Sequence, residues 1–195
     1  MPKVIDYAIV LQRMTELRMR SLYFNSGAFG PADAGSMRFT GWIGPEDPTI
    51  RPEALAQARS VAAPYEQNLA ALVTKAWREI LGGPGWVMPK SSWAYELDFG
   101  SKTWMPELLA QTGIDAGQLA PLTNAAAIEF MPDEGDAFAK FITTLLQKLF
   151  GSDFAVAWPQ FPVACTIHHH KQIWWMSGDE RIIDQLRRIA IQDDS

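Results

Sequence analysis

Apolar residues recur every three or four positions in five stretches of the chain, a pattern typical of amphipathic helices with one buried side. The first stretch covers residues 6–23 and places most of its charged residues opposite the apolar side. The other helices are predicted from Pro52 (with a break at Pro64), from about Pro106, behind a cap at Asp133, and behind a Ser177–Glu180 capping box.

Elsewhere the apolar period shortens to two, which is typical of a strand with one buried face. Residues 93–99 alternate aromatic or aliphatic side chains with Ala94, Glu96 and Asp98. We predict a strand there. Four more strands are predicted at residues 125–131, 154–158, 163–168 and 173–176.

Short turns separate these strands more often than crossover helices do, which favours an α+β fold with a mixed or antiparallel sheet. We predict a single compact domain over residues 1–195. Its first half (about residues 1–85) is expected to be mainly helical, and its second half (about residues 86–195) to hold the sheet, covered by helices. A chain of 195 residues can bury a substantial core without disulfides or structural metals.

Residues 25–48 follow neither period, because glycine and proline interrupt them repeatedly. A solvated linker would have no use for the large apolar side chains of this segment. We therefore expect an irregular loop that these side chains pin to the core. They are Phe29, Met37, Phe39, Trp42 and Ile43.

Composition and charge exclude several classes of protein. The chain is 48% hydrophobic and 20% charged, which excludes disorder over most of its length. Its net charge of −5 disfavours nucleic acid and anionic membranes as partners. The first residues lack the features of a signal peptide, and the apolar run at residues 7–11 is too short to span a bilayer. Cys165, the only cysteine, cannot form an intrachain disulfide, so we expect a soluble, cytoplasmic protein.

The three histidines of the chain are consecutive and form its most distinctive candidate site. On a strand, His168 and His170 would project from one face and His169 from the other. Two imidazoles on one face can share a transition metal if a carboxylate completes the site. A polar strand end beside a turn explains the same residues without any ligand, so the pattern alone assigns no metal ligand.

Glu129, or the Glu96/Asp98 pair, could supply that carboxylate from a neighbouring strand. The pair could also act in acid–base chemistry, although paired catalytic carboxylates normally come from different elements. The solvated face of an amphipathic strand is the simpler interpretation of Glu96 and Asp98.

Trp174, Trp175 and Arg18 also depart from their surroundings. Adjacent tryptophans on a strand face opposite ways, so one of the two must meet a second layer, a partner, a ligand or water. Arg18 falls inside the apolar arc of the first predicted helix. Its guanidinium must bridge to a carboxylate, extend to solvent, or bind an anion in a cleft.

Several signs of catalysis are missing from the sequence. The glycine-rich segments 27–30 and 82–85 lack the residues of a phosphate-binding loop. Cys165 is in phase with Val163 and Ile167, which predicts a buried apolar side chain rather than a nucleophile.

These patterns favour a non-catalytic binding or interaction module that uses the region around residues 166–176. The partner would be a protein or a small molecule, and self-association is left open. No cofactor is assigned. The alternative is a metal-dependent or hydrolytic enzyme that uses the His-x-His pair with a carboxylate. The candidate binding residues are His168, His170, Trp174, Trp175 and Arg18.

The helical patterns predict which side chains form the core. The residues at the centres of the apolar stripes are Leu69, Leu72, Phe141, Leu145, Ile182 and Leu186. Truncation of any one to alanine should lower the free energy of unfolding by about 2–5 kcal/mol, because it removes buried contacts and leaves a cavity. Denaturant unfolding measures this, with Gln67→Ala on the opposite side of its helix as the control. Losses below about 1 kcal/mol for most of the six would contradict the helix phases.

Overall fold

The computed structural model describes residues 1–33, 38–43 and 66–192. The strands are β1 (Lys3–Ile5), β2 (Met19–Ser21), β3 (Phe29–Pro31), β4 (Arg38–Ile43), β5 (Gly85–Pro89), β6 (Ala127–Phe130), β7 (Phe154–Ala157), β8 (Val163–His168) and β9 (Gln172–Ser177). The helices are α1 (Tyr7–Glu16), α2 (Glu66–Ala76), α3 (Trp93–Tyr95), α4 (Met105–Gln111), α5 (Ala116–Leu119), α6 (Gly135–Lys148) and α7 (Glu180–Gln192). Five-residue π-helical turns extend α2 (Trp77–Leu81) and α3 (Glu96–Gly100), and a 3₁₀ turn (Pro132–Glu134) precedes α6.

Seven strands form one sheet in the order β1-β6-β5-β7-β8-β9-β4, and every neighbouring pair is antiparallel. Strands β2 and β3 pair separately as a two-stranded ribbon. The mixed α+β composition and the antiparallel sheet confirm that part of the predicted fold class. Five strands of the large sheet come from the second half of the chain, but its two edge strands, β1 and β4, come from the first half.

Large side chains fill one face of the sheet, and small ones line much of the other. On the first face, α2, α6 and α7 pack over the strands, and the six stripe residues predicted to be buried are each 6% exposed or less. On the second face, Ala127, Ala155, Ala157 and Ala164 lie beneath α1 and the ribbon. The alanines leave room for α1 to approach closely, so the central strands are buried on both faces.

The prediction of a strand over residues 93–99 is wrong. The Ser92 hydroxyl accepts a hydrogen bond from the Tyr95 N–H and caps a helical turn, which continues as the π-helical turn. Helical geometry places Trp93 and Glu96 together in the interior and leaves Tyr95 exposed. The alternation of apolar and polar residues is therefore not the signature of a pleated strand here.

The first helix is shorter than predicted, because it ends at Glu16 rather than at residue 23. Arg18 adopts a left-handed backbone conformation (φ 58°), which an α-helix cannot accommodate. The Arg18 carbonyl then accepts a hydrogen bond from Ala32, and Met19 begins the ribbon. Pairing of the ribbon thus replaces the last turns of the predicted helix.

Two predicted helix caps also differ. Asp133 does not cap α6, because it lies inside the 3₁₀ turn and Glu134 occupies the position before the helix. At α7 the capping side chain is Asp179, which accepts the N–H of Arg181, while the Ser177 hydroxyl accepts the N–H of Asp179.

The loop predicted over residues 25–48 is wrong where the structure describes strands β3 and β4. Phe29 is buried, as expected. Strand β4 pairs with β9 along all six of its residues, so ladder pairing overcomes the glycine content. The side chains of Met37, Phe39, Trp42 and Ile43, like the helix predicted from Pro52 to Pro64, lie outside the described part of the chain. None of the described helices combines the length and apolarity needed to cross a membrane.

Candidate functional site

The three histidines lie where β8 turns into β9, and residues His168–His170 are called the histidine turn below. Strand β8 ends at His168, which pairs with Gln172, so the connecting loop has three residues. Lys171, the third of these, is left-handed (φ 56°), as is common in three-residue hairpin loops. The chain leaves the strand after His168, so the prediction that His169 would point away from the other two is wrong.

The turn brings the three imidazoles against one another. The ring centroids of His168 and His169 lie 4.2 Å apart, those of His169 and His170 4.4 Å, and those of His168 and His170 5.1 Å. One ring nitrogen from each residue lies within 4.8 Å of the other two. His168 is buried and the other two are half-buried, so the cluster lies at the boundary with solvent.

Asp153 is the carboxylate nearest to the histidine turn. It lies directly before β7, the neighbour of β8, at the same end of the sheet. Its Oδ1 accepts the backbone N–H of His169 at 3.1 Å and lies 2.9 Å from His169 Nδ1 and 3.9 Å from His168 Nε2. Lys90, which follows β5, places Nζ 3.5 Å from Asp153 Oδ2. Strands β5, β7 and β8 thus bring two charged groups to the imidazoles.

Hydrogen bonds distinguish the nitrogens of the three rings. His168 Nδ1 accepts the backbone N–H of His170 at 3.2 Å, so a neutral His168 carries its proton on Nε2. His169 Nδ1 faces Asp153 Oδ1, and a carboxylate oxygen only accepts, so this contact assigns the proton of a neutral His169 to Nδ1 and leaves the lone pair on Nε2. Within the described part of the chain, no hydrogen bond forms to the ring of His170.

The charges of this cluster are set by burial and by mutual attraction. The pKa of His168 is lowered to about 4, mainly by burial. The neighbouring imidazoles and Lys90 lower this pKa further, and the attraction of Asp153 raises it only in part. Burial alone would raise the pKa of Asp153. The attraction of His168, the hydrogen bonds from His169 and the charge of Lys90 outweigh burial and lower that pKa. At neutral pH the site therefore contains an ionised carboxylate beside a neutral His168.

The two adjacent tryptophans have different surroundings. Trp175 is fully buried on the helix-covered face, where its ring stacks on Trp158 with centroids 5.1 Å apart. Trp174 projects from the other face and stacks on His168 at 4.5 Å, with 18° between the ring planes. Its Nε1 donates to Gln172 Oε1 at 3.1 Å. Of the pair, Trp174 alone is stacked on the histidine turn.

A cleft of about 300 Å³ opens beside Asp153 and His169. Lys90 and the hydroxyl-bearing residues Ser91 and Ser152 contribute to its polar lining. Exposed aromatic side chains occur on the segments that form or adjoin it. They are Tyr23, Phe24, Tyr95, Phe99 and Phe150. The cleft thus combines a charged interior with aromatic surroundings.

A buried carboxylate supports the cleft from within. Glu96 accepts hydrogen bonds from the hydroxyls of Ser101 at 2.8 Å, Ser91 at 2.9 Å and Ser152 at 3.1 Å. Ser91 follows Lys90 and Ser152 precedes Asp153, so Glu96 ties together the two segments that carry the charged groups of the cleft. The expected Glu96/Asp98 pair does not form, because the helical turn buries Glu96 and exposes Asp98.

Glu129 and Arg18 are not part of the histidine cluster. Glu129 lies on β6, separated from β8 by two strands, and binds Trp86 Nε1 at 2.8 Å and Lys3 Nζ at 2.9 Å. Arg18 is exposed and lines another cleft, of about 730 Å³, together with Arg181. Asp33, Asp179 and Glu180 line it as well, so its two basic groups are matched by acidic ones and do not form an anion site.

Asp153 and Lys90 were missed by sequence analysis. Asp153 stands directly before a predicted strand, and the histidines stand at the end of the next one. In an antiparallel hairpin those two positions meet at one end of the sheet, and this was the available signal.

The cluster contains groups that can bind ligands or metals, but no aligned nucleophile. The Ser91 and Ser152 hydroxyls both donate to Glu96 rather than to His169. Cys165 is buried, and burial raises the pKa of its thiol well above the usual value. Comparison with known proteins finds no matching family model, no matching curated protein and no matching solved structure.

The role of Glu96 can be tested by two substitutions. Glu96→Ala should lower the free energy of unfolding by about 2 kcal/mol or more, because it leaves the hydroxyls of buried Ser101 and Ser152 without their acceptor and creates a cavity. Glu96→Gln keeps the shape and should cost less. Urea unfolding measures both.

The pH dependence of stability tests the charge of Glu96 separately. Burial raises the pKa of Glu96 in the folded protein, and the serine hydrogen bonds offset this only in part. The stabilisation from its protonated form is complete below the unfolded pKa and is lost as the pH rises through the folded pKa. As the pH rises from the unfolded pKa of about 4.3 through the raised folded pKa, wild type should therefore lose stability relative to Glu96→Gln. Parallel pH profiles for the two proteins would contradict this.

Proposed function

We propose that this protein is a non-catalytic binding module and that its ligand binds at the histidine turn, against Asp153 and the adjoining cleft. The observation that carries the proposal is the convergence of three imidazoles on one carboxylate at the solvent boundary. Partly buried titratable groups that perturb one another's pKa are typical of binding and catalytic sites. A site residue predicted from the sequence, Trp174, belongs to the same surface.

The energetic cost of the cluster supports this proposal. Burial of His168 disfavours its charged form. Burial also removes water from the Asp153 carboxylate, and contacts with the imidazoles replace that water. Apolar residues would close this end of the sheet at lower cost, because burying polar groups carries a desolvation penalty. We therefore infer that the cluster is maintained for a ligand rather than for folding.

The contacts favour binding over hydrolysis. In the enzyme alternative, His169 would be the general base, because Asp153 orients its ring through the 2.9 Å contact. A hydrolase with a serine or cysteine nucleophile also needs that hydroxyl or thiol within hydrogen-bond distance of the His169 ring. Among the described residues lining the cleft, the two serine hydroxyls are directed to Glu96 instead.

The size and charge of the cleft favour a small ligand. A volume of about 300 Å³ lies at the lower end of the range for small-molecule sites. Lys90 offers an ammonium group, the histidine turn offers imidazole nitrogens, and the aromatic surroundings offer apolar contact.

The proposed compartment is the cytoplasm, since the single buried cysteine has no need of an oxidising environment.

The proposal is tested by NMR of ¹⁵N-labelled protein titrated with three probes. Zn²⁺ tests the imidazoles, inorganic phosphate tests Lys90, and phenol tests the aromatic surroundings. At least one probe should shift amide signals at residues 90–96, 151–153 and 168–174, with saturation and with little change elsewhere. Asp153→Asn should weaken that response.

Saturating shifts centred on the Arg18 cleft, or no saturating shifts with any probe, would contradict the proposed site. Asp98→Asn is the matched control, because it removes one negative charge from an exposed carboxylate on the neighbouring π-helical turn. Turnover of a model ester that requires both His169 and Asp153 would favour the enzyme alternative.

A further inference from the structure

We infer that the ligand of the histidine turn is a divalent transition-metal ion of the zinc and copper type, held by three imidazoles, with Asp153 as the positioning residue for two of them. This inference rests on the proposed function and names the ligand class of the same site. It differs from the metal site considered for the sequence, in which His169 pointed away and Glu129 or the Glu96/Asp98 pair supplied a direct ligand.

The nitrogen positions are close to those of a metal centre. Metal–nitrogen bonds of about 2.0–2.1 Å in a tetrahedral site place ligand nitrogens roughly 3.4 Å apart. The three nitrogens here lie within 4.8 Å of one another. Because the rings are stacked or tilted, with interplanar angles of 27°, 21° and 40°, they have to rotate as well as close by about 1–1.5 Å before their lone pairs meet at one ion. His169 and His170 are half-buried in a hairpin turn, so rotation of their side chains around the buried His168 can supply such a change.

His169 already has the arrangement of a metal-ligating histidine. Such residues usually donate one ring N–H to a carboxylate and coordinate through the other nitrogen. His169 Nδ1 lies 2.9 Å from Asp153 Oδ1, so Nε2 is the coordinating atom. The same carboxylate oxygen accepts the backbone N–H of His169, which fixes the residue as well as the ring.

His168 becomes a ligand by exchanging one contact. Its Nδ1 lone pair now accepts the backbone N–H of His170 at 3.2 Å. A metal ion at Nδ1 replaces that N–H, and the proton stays on Nε2, which lies 3.9 Å from Asp153 Oδ1. Asp153 then faces the ring N–H that does not coordinate the ion, which is Nε2–H in His168 and Nδ1–H in His169. The ring of His170 completes the set, since no hydrogen bond holds it within the described residues.

The donor atoms select the class of metal. Three imidazoles suit zinc, copper, nickel and cobalt, whereas magnesium and calcium require oxygen ligands. Asp153 supplies a negative charge near the cation without occupying a coordination position. Of the three histidines, His169 lines the cleft, so water or a donor atom of a small molecule in the cleft is the candidate for the fourth ligand.

Isothermal titration with Zn²⁺ tests this inference on wild type, Asp153→Asn, Asp98→Asn and His170→Ala. One ion should bind per chain. Loss of the positioning carboxylate should weaken Zn²⁺ binding about 10-fold or more. Asp98→Asn should leave the affinity unchanged, and His170→Ala should lower it more strongly. Mg²⁺ in excess should not compete. Co²⁺ should give the visible absorption of a four-coordinate site, and Asp153→Asn should alter that spectrum.

Equal Zn²⁺ affinities for wild type and Asp153→Asn would overturn the inference, because they would indicate adventitious binding by an exposed run of histidines. Thermal unfolding checks each variant. If Asp153→Asn does not fold, an unchanged affinity in His170→Ala overturns the inference instead. If Zn²⁺ does not bind but phosphate or phenol shifts the same amides, the metal inference fails and the proposed binding site stands. If no probe acts there, both fail.

Discussion

Antiparallel pairing of β7 with β5 and β8 is the constraint on which the candidate site depends. The pairing places the end of β5, the start of β7 and the end of β8 at one end of the sheet. Lys90, Asp153 and His168 are the residues at those positions, and their side chains meet because the strands are in register. A one-residue slip in β7 would turn its side chains to the opposite faces and would separate the carboxylate from the imidazoles.

Burial of the central strands on both faces fixes that register. Large residues pack against α2, α6 and α7, and alanines pack beneath α1 and the ribbon. The large side chains would not fit beneath α1, and the alanines would leave cavities beneath the other helices. Glu96 then fastens the ends of the strands through Ser91 and Ser152. The polar cluster is therefore held by an apolar sheet and a buried carboxylate, which together limit how far its groups can move before a ligand binds.

Sequence patterns predicted this framework where burial produces a regular apolar pattern along an element. Strands β6–β9 and helices α2, α6 and α7 have such patterns, and their predicted positions agree closely with the structure. Strands β1 and β2 have three residues each, too few for a period to be visible. The alternation at residues 93–99 arises from a helical turn with two buried positions. The cluster itself depends on which strands are neighbours and on a left-handed Lys171, and hydrophobic periodicity encodes neither.

We infer that Asp153 orders the imidazoles of the histidine turn. Long-range ¹H–¹⁵N NMR of the histidine side chains near neutral pH measures this directly, because the nitrogen shifts identify which nitrogen of each ring is protonated. A neutral His168 with its proton on Nε2, and a His169 protonated on Nδ1, are the predicted result, and Asp153→Asn should change the His169 signals. Three rings with the averaged tautomers of solvent-exposed histidine, insensitive to Asp153→Asn, would show that Asp153 does not order them.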